Sequence, residues 1–431
     1  MRKVIEDRDC NCKTRVSCGI LTLEMNAVTN KKVFVALSGG VDSSVAALIS
    51  RDQGYDVTGV FMRCYNLDGC AEKDAADARR VASHLGIPFY SWDFKKEYKK
   101  RVVEYMVEGY RRGETPNPDV MCNKEIKFGL FLEKALALGA DYVATGHYTR
   151  RLPASHHRVS LRSSDGAHRY ALGEKSASRS RAFSPPRVAE KQEAAAWSLF
   201  EAKDKNKDQS YFLWTLKPEQ ISRCLFPIGD YQKAEVREMA RYAGLPTAEK
   251  KDSQGICFLG KVTLADFLKN YIPARRGAVL STAGKKMGEH DGAEFYTIGE
   301  RHVGVAVSKP VYVAEKDVKT NTLVMAEAGD AALYRKEVQL TDLNFTSPQH
   351  SNILKNVGIS VLARVRYRQP LVPAKLVISN SQLENRPITN YRLLFSEPVK
   401  FVASGQSAVF YSAEERDLPA GRQVLGGGVI V

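Results

Sequence analysis

The first half of the chain alternates between two hydrophobic periods, which predict strands followed by helices. Short apolar runs bounded by turn-forming residues predict four strands, at 32–37, 57–62, 88–94 and 141–147. Apolar positions at helical spacing lie between these runs. Three of the resulting helices are expected to end near Gly86, Gly113 and Gly139, because glycine readily adopts the left-handed conformation that terminates a helix. The alternation predicts an α/β fold with a doubly wound parallel sheet, in which ligands bind beyond the carboxyl ends of the strands.

Two stretches depart from this pattern. Residues 1–30 are charged and aperiodic, which predicts a disordered extension. Residues 174–206 begin with a Ser-, Arg- and Pro-rich run and continue, from 189 to 205, with a helical composition. We interpret 174–206 as a solvated insertion, with an RNA-binding arm as the alternative. The first domain is expected to span residues 31–260 and to contain this insertion.

The helical spacing fades after residue 260, and β-like segments separated by turn residues replace it. The first of these segments are 292–299, 310–317 and 321–328. They predict a small β-rich central domain over residues 261–329. The remaining segments predict a β-barrel over residues 330–431, with a sandwich as the alternative, whose final hairpin is interrupted by residues 417–423.

Composition narrows the class of protein. The 431 residues are 44% hydrophobic and 26% charged, as expected for a globular protein. No apolar run reaches about 18 residues, so no membrane span is expected. Charges interrupt the first residues too early for a secretory signal. Eight cysteines are too few for a disulfide scaffold, which favours a reducing cytoplasm. The net charge of +15 favours a polyanionic partner such as nucleic acid.

The most informative motif is SGGVDS at residues 38–43, which follows a predicted strand and opens a predicted helix. Glycines allow the backbone to curl around an anion, and the helix N-terminus offers N–H groups to phosphate. No lysine follows the glycines, so the motif is not a P-loop of the GxxxxGK[ST] type. Asp42 beside phosphates implies Mg²⁺ between them. The alternative is a glycine turn before an ordinary helix.

Two cysteines stand in unusual settings. Cys122 follows a turn-forming run and precedes a helix expected to begin near Lys124, a position that favours the thiolate. Cys257 lies in the glycine-rich run DSQGICFLG, which is typical of an accessible loop. For each, a buried small hydrophobe is the alternative. Cys64 and Cys70 form a conceivable redox pair, although separate thiols are the simpler interpretation. Cys10, Cys12 and Cys18 lack a nearby fourth metal ligand.

Further motifs occur in a characteristic order along the chain. They are TPNPDVMCNKEIKFG (115–129), ATGHY (144–148), KDQSYFLWTL (207–216), FPIGDYQKAEVR (226–237), KDSQGICFLG (251–260) and GQSAVFY (405–411). Together with SGGVDS, they resemble the bacterial tRNA-specific 2-thiouridylases of the pyrophosphate-loop superfamily. The resemblance runs from residue 31 to residue 431. It departs from the family in the first 30 residues and in the insertions at 174–206 and 417–423.

The resemblance implies a fold and an activity. The fold is the N-type ATP pyrophosphatase sheet followed by a central β-rich domain and a barrel. The activity is ATP-dependent 2-thiolation of the wobble uridine of tRNA, through an adenylated uridine, with AMP and pyrophosphate as products. Cys122 is implied as the nucleophile and Cys257 as the carrier of a persulfide, with a Cys122–Cys257 disulfide as the end state. Asp42, His147 and Gln406 are implied to be needed for activity.

The resemblance also implies binding residues and partners. Those for ATP are Ala36, Leu37, Ser38, Gly39, Gly40, Val41, Asp42, Ser43, Met62 and Gly146. Asp42 is the residue expected to hold Mg²⁺. Those for tRNA are Asn117, Pro118, Asp119, Lys207, Asp208, Gln209, Arg366 and Tyr367. The implied partners are tRNA and a sulfur-donor protein that carries a persulfide; no membrane and no stable protein partner are expected.

Three questions stay open at the level of sequence. The sulfur either attacks the uridine directly from the persulfide or is first released as hydrosulfide. Another pyrophosphate-loop thiolase or amidotransferase-linked ligase is the nearest rival enzyme, although the PNPDVMC and GICF motifs argue against it. A non-catalytic RNA-binding protein with a relic loop is the rival from another class, and the presence of Asp42, Cys122 and Cys257 argues against that.

Overall fold

The computed structural model describes residues 30–65, 69–153, 197–252, 262–301, 303–305, 309–347, 358–383, 386–413 and 421–431. Its first part is built on a five-stranded parallel sheet of order β3-β2-β1-β4-β7. The strands are β1 (Lys32–Ala36), β2 (Asp56–Arg63), β3 (Phe89–Asp93), β4 (Tyr142–Ala144) and β7 (Cys224–Leu225). The predicted α/β class with a doubly wound parallel sheet is confirmed.

Helices cover both faces of this sheet. They are α1 (Val41–Asp52), α2 (Cys70–Leu85), α3 (Lys95–Tyr98), α4 (Glu104–Arg111), α5 (Pro118–Cys122), α6 (Leu132–Ala137), α7 (Pro218–Ser222), α8 (Lys233–Tyr242) and α9 (Leu264–Lys269). Segments of π-helix, Lys99–Val103 and Asn123–Phe131, join α3 to α4 and α5 to α6. The positive φ angles of Gly86, Gly113 and Gly139 follow three of the helical runs, as the sequence predicted.

Strand β1 divides the core into two layers because its side chains alternate between the faces of the sheet. Val33 and Val35 pack with α1, α2 and α8. Phe34 and Ala36 pack with the helices from α3 to α6 on the other face. Because β1 is buried on both faces, its sequence is a continuous apolar run. The SGGVDS loop begins at the carboxyl end of this strand.

A two-stranded ribbon corrects one prediction. Strands β5 (Thr149–Pro153) and β6 (Trp197–Glu201) pair in antiparallel fashion. The helical prediction for residues 189–205 is therefore wrong at β6, and residues 154–196 lie outside the described residues. Leu199 and Phe200 are fully buried. Aromatic and branched side chains suit a buried, paired strand, whereas the alanines that precede them favoured a helix.

The central domain is a four-stranded sheet of order β10-β11-β8-β9. The strands are β8 (Gly277–Ser281), β9 (Lys286–His290), β10 (Val311–Asp317) and β11 (Thr322–Glu327). Residues 292–299, predicted as β-like, instead contain a 3₁₀ turn at Ala293–Phe295. The Asn321 side chain accepts a hydrogen bond from the N–H of Ala293 at 3.0 Å, which fixes this turn through a contact that local sequence does not reveal.

The C-terminal domain is a closed six-stranded barrel of order β12-β15-β14-β13-β16-β17. The strands are β12 (Tyr334–Phe345), β13 (Ile359–Arg364), β14 (Val372–Leu383), β15 (Arg386–Lys400), β16 (Ser407–Ser412) and β17 (Val424–Ile430). The predicted barrel is confirmed over the sandwich alternative. Strands β16 and β17 pair as the predicted hairpin.

A buried ion pair joins the barrel to the first part of the chain. Arg364 on β13 bonds the Glu201 carboxylate on β6 at 3.0 Å, and the two side chains are 11% and 9% exposed. Lys205 contacts the other oxygen of Glu201 at 2.8 Å. The hydroxyl of Tyr211 donates to the carbonyl of Ser407 on the barrel at 2.7 Å. These contacts hold the barrel against the α/β domain.

Replacing Arg364 with Met should lower the free energy of unfolding by about 3 kcal/mol, because the buried carboxylate of Glu201 loses its buried partner and keeps only the exposed ammonium of Lys205. Urea denaturation would measure the change. The matched control is Arg392→Met on the same barrel. Arg392 pairs with Glu337 at 3.0 Å, but the side chains are 37% and 44% exposed, so the expected loss is under about 1 kcal/mol. Equal losses in the two variants would contradict the conclusion that burial makes the Arg364–Glu201 ion pair important for stability.

Candidate active site

Residues 38–43 form a tight loop between β1 and α1. Gly39 has a φ angle of +75°, and a Cβ atom there would lie 2.4 Å from the carbonyl oxygen of Asp74. The hydroxyl of Ser43 donates to the carbonyl of Gly40 at 3.0 Å, which tightens the turn. Gly40 precedes α1 without capping it through a side chain, so the first N–H groups of α1 can serve an anion.

The residues after β4 press against this loop. A Cβ atom on Gly146 would lie 2.6 Å from the backbone nitrogen of Ser43 and 2.7 Å from the carbonyl carbon of Asp42. A side chain of any size would therefore push the loop away. Gly146 matters in this fold because it lets two backbones approach each other beside the carboxyl ends of β1 and β4.

Asp42, in the first turn of α1, is held by two groups that lie far away in the sequence. The hydroxyl of Tyr148 donates to Oδ1 of Asp42 at 2.9 Å. The Lys233 ammonium, at the first position of α8, lies 2.7 and 2.8 Å from the two carboxylate oxygens. Burial, followed by the charge of Asp42, raises the pKa of Tyr148, so its hydroxyl stays protonated.

Asp252 extends this ion pair into a network. Its carboxylate lies 2.8 Å from Lys233, 2.8 Å from Arg237 and 2.7 Å from Lys207. Partial burial raises the pKa of Asp252, but hydrogen bonds from Lys207 and Lys233 outweigh this and lower the pKa to about 2. Asp252 is thus ionised at neutral pH. It stands next to the segment 253–261, which lies outside the described residues.

Cys122 lies inside a helix and not before one. Helix α5 begins at Pro118, and the side chain of Asn117 caps it by accepting a hydrogen bond from the N–H of Val120 at 3.2 Å. The expected start near Lys124 is therefore wrong. The capping asparagine and the proline at the first helical position are both start signals, and they outweigh the turn character of the run.

The helix continues from Cys122 through the π-helical segment Asn123–Phe131. The Cys122 side chain is 7% exposed and packs in the core layer below α5. A Cβ atom on Gly129 would lie 2.9 Å from the carbonyl oxygen of Lys124, which fits the wider π turns at this point. Such segments are frequent at functional sites.

One face of this helix meets His147. Nε2 of His147 lies 3.5 Å from the Lys127 ammonium, and its Nδ1 lies 2.8 Å from the hydroxyl of Thr145. Burial, and then the charge of Lys127, lower the pKa of His147 well below its usual range, so the ring is neutral. Burial raises the pKa of Asp119, and Lys127 opposes that shift.

Gln406 connects the barrel to the turn before α5. Its side-chain amide donates to the carbonyl of Thr115 at 2.7 Å, and the N–H of Thr115 donates to the carbonyl of Ser404 at 2.7 Å. A Cβ atom on Gly405 would lie 2.9 Å from the nitrogen of Thr115. The barrel loop therefore clamps the backbone two residues before Asn117.

Two residues expected to meet tRNA are engaged within the chain. Asp208 is 4% exposed and accepts hydrogen bonds from the N–H of Ala202 at 2.9 Å and the hydroxyl of Ser210 at 2.8 Å. The amide oxygen of Gln209 accepts from the N–H of Tyr148 at 3.0 Å, and the N–H of Gln209 donates to the carbonyl of Tyr148 at 2.8 Å. These side chains fix the turn that carries Lys207.

Arg366 and Tyr367 lie where the barrel meets its neighbours. The guanidinium of Arg366 donates to the carbonyl of Ile298 in the central domain. Burial lowers the pKa of Arg366, and the nearby Tyr211 opposes this shift. The ring of Tyr367 packs 4.5 Å from that of Phe212. Both residues therefore adjoin the 207–213 segment in space, although about 155 positions separate them in sequence.

The remaining predicted residues divide between the described and undescribed parts. Ala36 ends β1, Leu37 is 1% exposed, and half-buried Met62 lies near the end of the neighbouring strand β2. Cys257, Cys10, Cys12, Cys18 and the side chain of Cys70 lie outside the described residues, and so does most of the insertion at 174–206.

Three family models match this chain in succession. The tRNA methyl transferase HUP domain matches residues 31–171 and 183–261. The tRNA methyl transferase PRC-barrel domain matches residues 265–327, and the aminomethyltransferase β-barrel domain matches residues 335–430.

Full-length relatives give the family directly. The tRNA-specific 2-thiouridylase MnmA of Idiomarina loihiensis is 38% identical over 418 residues, which cover 93% of this chain and 96% of the relative. The same enzyme of Bacillus cytotoxicus is 40% identical and covers 93% of this chain and 94% of the relative. The chain belongs to the tRNA-specific 2-thiouridylase family.

Solved structures are less similar. NMN synthetase from Francisella tularensis matches with a TM-score of 0.28 and 15% identity, over 52% of this chain and 66% of that one. A predicted subunit of tRNA methyltransferase from Methanocaldococcus jannaschii matches with a TM-score of 0.21 and 19% identity, over 31% and 58%. Neither similarity supports a conclusion about this 2-thiouridylase family member.

Sequence reasoning missed several residues of the site, namely Lys127, Tyr148, Lys233, Arg237 and Asp252. All five lie in or beside motifs that carry the family resemblance. Their types alone gave no signal, because a lysine or aspartate on a helix is usually solvated. Only the burial of Lys233, which is 13% exposed, and its contact with Asp42 distinguish it.

The donor set at the loop fits one kind of metal site. Within the described ranges, no group of three or more His, Cys, Asp or Glu side chains is arranged to hold a metal ion. Mg²⁺ takes one or two carboxylates and completes its shell with phosphate oxygens and water. Asp42, 32% exposed beside the loop, supplies such a carboxylate.

Among the described residues, no helix is long and apolar enough to cross a bilayer.

Replacing Gly146 with Ala should weaken binding of ATP by at least about tenfold, because the new Cβ cannot fit against the loop without moving it. Isothermal titration calorimetry would measure the affinity. The control is Gly284→Ala, since no atom lies within 4 Å of a Cβ there; its φ angle of +78° makes that variant a measure of local backbone strain without a clash. That variant should bind ATP normally, and normal binding by Gly146→Ala would contradict the close approach.

The low pKa of Asp252 predicts how stability depends on pH. Because the folded pKa is about 2 and the ordinary value is 3.8, the stabilisation is complete above about pH 5 and is lost as the pH falls through 2. Asp252→Asn should therefore be less stable than the wild type at pH 6, and the gap should narrow at pH 3. Thermal unfolding at the two pH values would measure it; a constant gap would contradict the prediction.

Proposed function

We propose that this chain is an ATP-dependent tRNA-uridine 2-sulfurtransferase that converts the wobble uridine of tRNA into 2-thiouridine and releases AMP and pyrophosphate. The observation that carries the proposal is the 38–43 loop closed by Gly146, within a chain of this family. The relatives are named for this activity, and every sequence motif of the expected site is present. The net charge of +15 suits a tRNA partner.

Adenylation comes first, because the 2-oxygen of uridine is a poor leaving group. That oxygen attacks the α-phosphorus of ATP, and pyrophosphate departs. The N–H groups at the start of α1 and the hydroxyl of Ser38 hold the phosphates, and the hydroxyl of Ser43 joins them by turning away from the carbonyl of Gly40. When bound, Mg²⁺ would screen the phosphate charge, with Asp42 as its protein ligand. Met62, Gly146 and the end of β1 at Ala36 and Leu37 would line the nucleotide.

Sulfur transfer completes the reaction. A persulfide on Cys257 provides the sulfur. Its terminal sulfur attacks the activated carbon and displaces AMP, after which the Cys122 thiolate attacks Sγ of Cys257 and frees the thiolated base. Alternatively, Cys122 attacks first and hydrosulfide makes the attack on carbon. Both routes leave a Cys122–Cys257 disulfide, which a cellular dithiol must reduce before the next cycle.

The surroundings of Cys122 support this role. Asn117 and Pro118 open the helix that carries Cys122, which fixes the position of the thiol relative to the turn before α5. Burial raises the pKa of Asp119, which follows Asn117 and Pro118 at the start of the same helix. Neutral His147 can donate or accept a hydrogen bond without adding charge. Gln406 holds the preceding turn in place through Thr115.

The tRNA contacts would lie on Lys207, its neighbours Asp208 and Gln209, and the barrel residues Arg366 and Tyr367. Because Asp208 and Gln209 are bonded within the chain, they would act by positioning Lys207 and the turn around it. The persulfide would come from a donor protein. Reduction of a catalytic disulfide in each cycle suits the cytoplasm, where dithiol reductants are maintained.

The decisive experiment is mass analysis of tRNA nucleosides after incubation of the protein with ATP, Mg²⁺ and a persulfide donor. We expect 2-thiouridine at the wobble position together with AMP and pyrophosphate. Cys257→Ser should accept no transferable persulfide, and Cys122→Ser should carry one on Cys257 without turning over. Both should still adenylate tRNA, since the thiols act after the phosphate chemistry.

Cys224→Ser provides the matched control. Cys224 is a fully buried cysteine of β7, and burial raises its pKa to a value where no thiolate forms at neutral pH. It should retain the activity. Full thiolation by either the Cys122 or the Cys257 variant, or a persulfide found on Cys64 or Cys70, would show that other thiols carry the sulfur. Absence of 2-thiouridine with the wild type would overturn the proposed function.

A further inference from the structure

The phosphate loop lacks a lysine of its own, and the fold supplies one. SGGVDS contains no basic residue, yet the ammonium of Lys233 lies against the first turn of α1, 191 positions further along the chain. We propose that Lys233 is a phosphate-binding residue that contacts the β- and γ-phosphates of ATP, the part released as pyrophosphate. This inference rests on the proposed ATP-dependent function and adds a residue to its machinery.

The position of Lys233 is the first argument. It is the first residue of α8, and its backbone N–H donates to the carboxylate of Asp204 at 2.9 Å, which anchors the start of the helix. The side chain then runs to Asp42, with its ammonium 5.8 Å from the centre of the Tyr148 ring. The ammonium thus lies beside the first turn of α1, where an anion bound by the helix N-terminus would sit.

The burial of the ammonium is the second argument. A lysine that is 13% exposed has given up much of its hydration, and this is costly unless strong partners compensate. Lys233 has two carboxylates as partners, at 2.7 Å for Asp42 and 2.8 Å for Asp252. A purely structural ion pair needs one. The carboxylate of Asp252 keeps the ammonium charged and oriented, while that of Asp42 remains within reach of a bound cation.

Charge balance explains how the exchange would work. The cluster consists of three carboxylates, on Asp42, Asp204 and Asp252, and three cations, on Lys207, Lys233 and Arg237. Its formal charge is therefore zero. A triphosphate adds several negative charges. When it binds, Asp42 would therefore exchange Lys233 for a metal ion, and Lys233 would exchange Asp42 for the phosphates. Asp252, which is held by Lys207 and Arg237 as well, can retain Lys233 on its other side during this exchange.

The test compares ligands that contain the β- and γ-phosphates with one that does not. Lys233→Met should weaken the binding of ATP and of inorganic pyrophosphate, each with Mg²⁺, by about tenfold to hundredfold, the range expected when a charge-assisted hydrogen bond is lost. The affinity for AMP should change by less than about twofold, since AMP lacks those phosphates. Lys233→Arg should keep most of the pyrophosphate affinity. Titration calorimetry on the full-length protein without tRNA measures all of these affinities.

Two further variants separate phosphate binding from a structural role. Lys203→Met is the matched control, because Lys203 pairs with Glu235 at 3.1 Å near the same helix start but is 46% exposed; it should bind all ligands normally. Asp252→Asn removes the carboxylate that orients Lys233 but keeps the ammonium, so pyrophosphate affinity should fall less than in Lys233→Met, with AMP affinity unchanged. If Lys233 were only structural, both variants would lose affinity for pyrophosphate and AMP alike.

The outcomes distinguish the two proposals. If Lys233→Met loses affinity for ATP and AMP equally, or loses none, the role of Lys233 is overturned. The proposed thiolation activity would still stand, provided that the wild type binds ATP. Failure of the wild type to bind ATP would overturn both. Thermal unfolding of each variant shows whether it is folded, and if Lys233→Met does not fold, Lys233→Gln takes its place, with the same expected loss of pyrophosphate affinity and normal AMP binding.

Discussion

The ion pair between Asp42 and Lys233 is the interaction on which the site depends. It joins the first turn of α1, directly after the phosphate loop, to the start of α8, and Asp252 binds the same ammonium. Because Lys233 is largely buried, removing it would leave the carboxylates of Asp42 and Asp252 without the cation they share. Asp42, Lys233 and Asp252 therefore form one continuous cluster of charges at the starts of α1 and α8.

The short segment after β4 organises the site around that cluster. Gly146 approaches the loop, His147 faces the helix of Cys122, and Tyr148 donates to Asp42. Three consecutive residues thus meet the 38–43 loop, the helix of Cys122 and the carboxylate of Asp42. This follows from the topology of a parallel sheet, in which the carboxyl ends of neighbouring strands meet at one edge.

The barrel contributes to the same site from a distance in sequence. Gln406 and its neighbours clamp Thr115, just before α5, and the buried pair of Arg364 with Glu201 fixes the barrel against β6. The two predicted tRNA segments, around Lys207 and Arg366, become adjacent through this docking. A surface composed of several domains suits a folded RNA better than a single loop would, since phosphate contacts can be spread over it.

The sequence by itself determined the α/β class, the position of the phosphate loop, the barrel and the order of the family motifs, because hydrophobic period, glycine placement and short motifs are local properties. It misjudged the start of α5, where Asn117 and Pro118 act as start signals, and the strand at Trp197–Glu201, whose environment is set by pairing. It did not reveal Lys233, Asp252 or the contact of Gln406 with Thr115. Only the tertiary structure decided these, since burial and charge pairing depend on residues that lie between 19 and 291 positions apart.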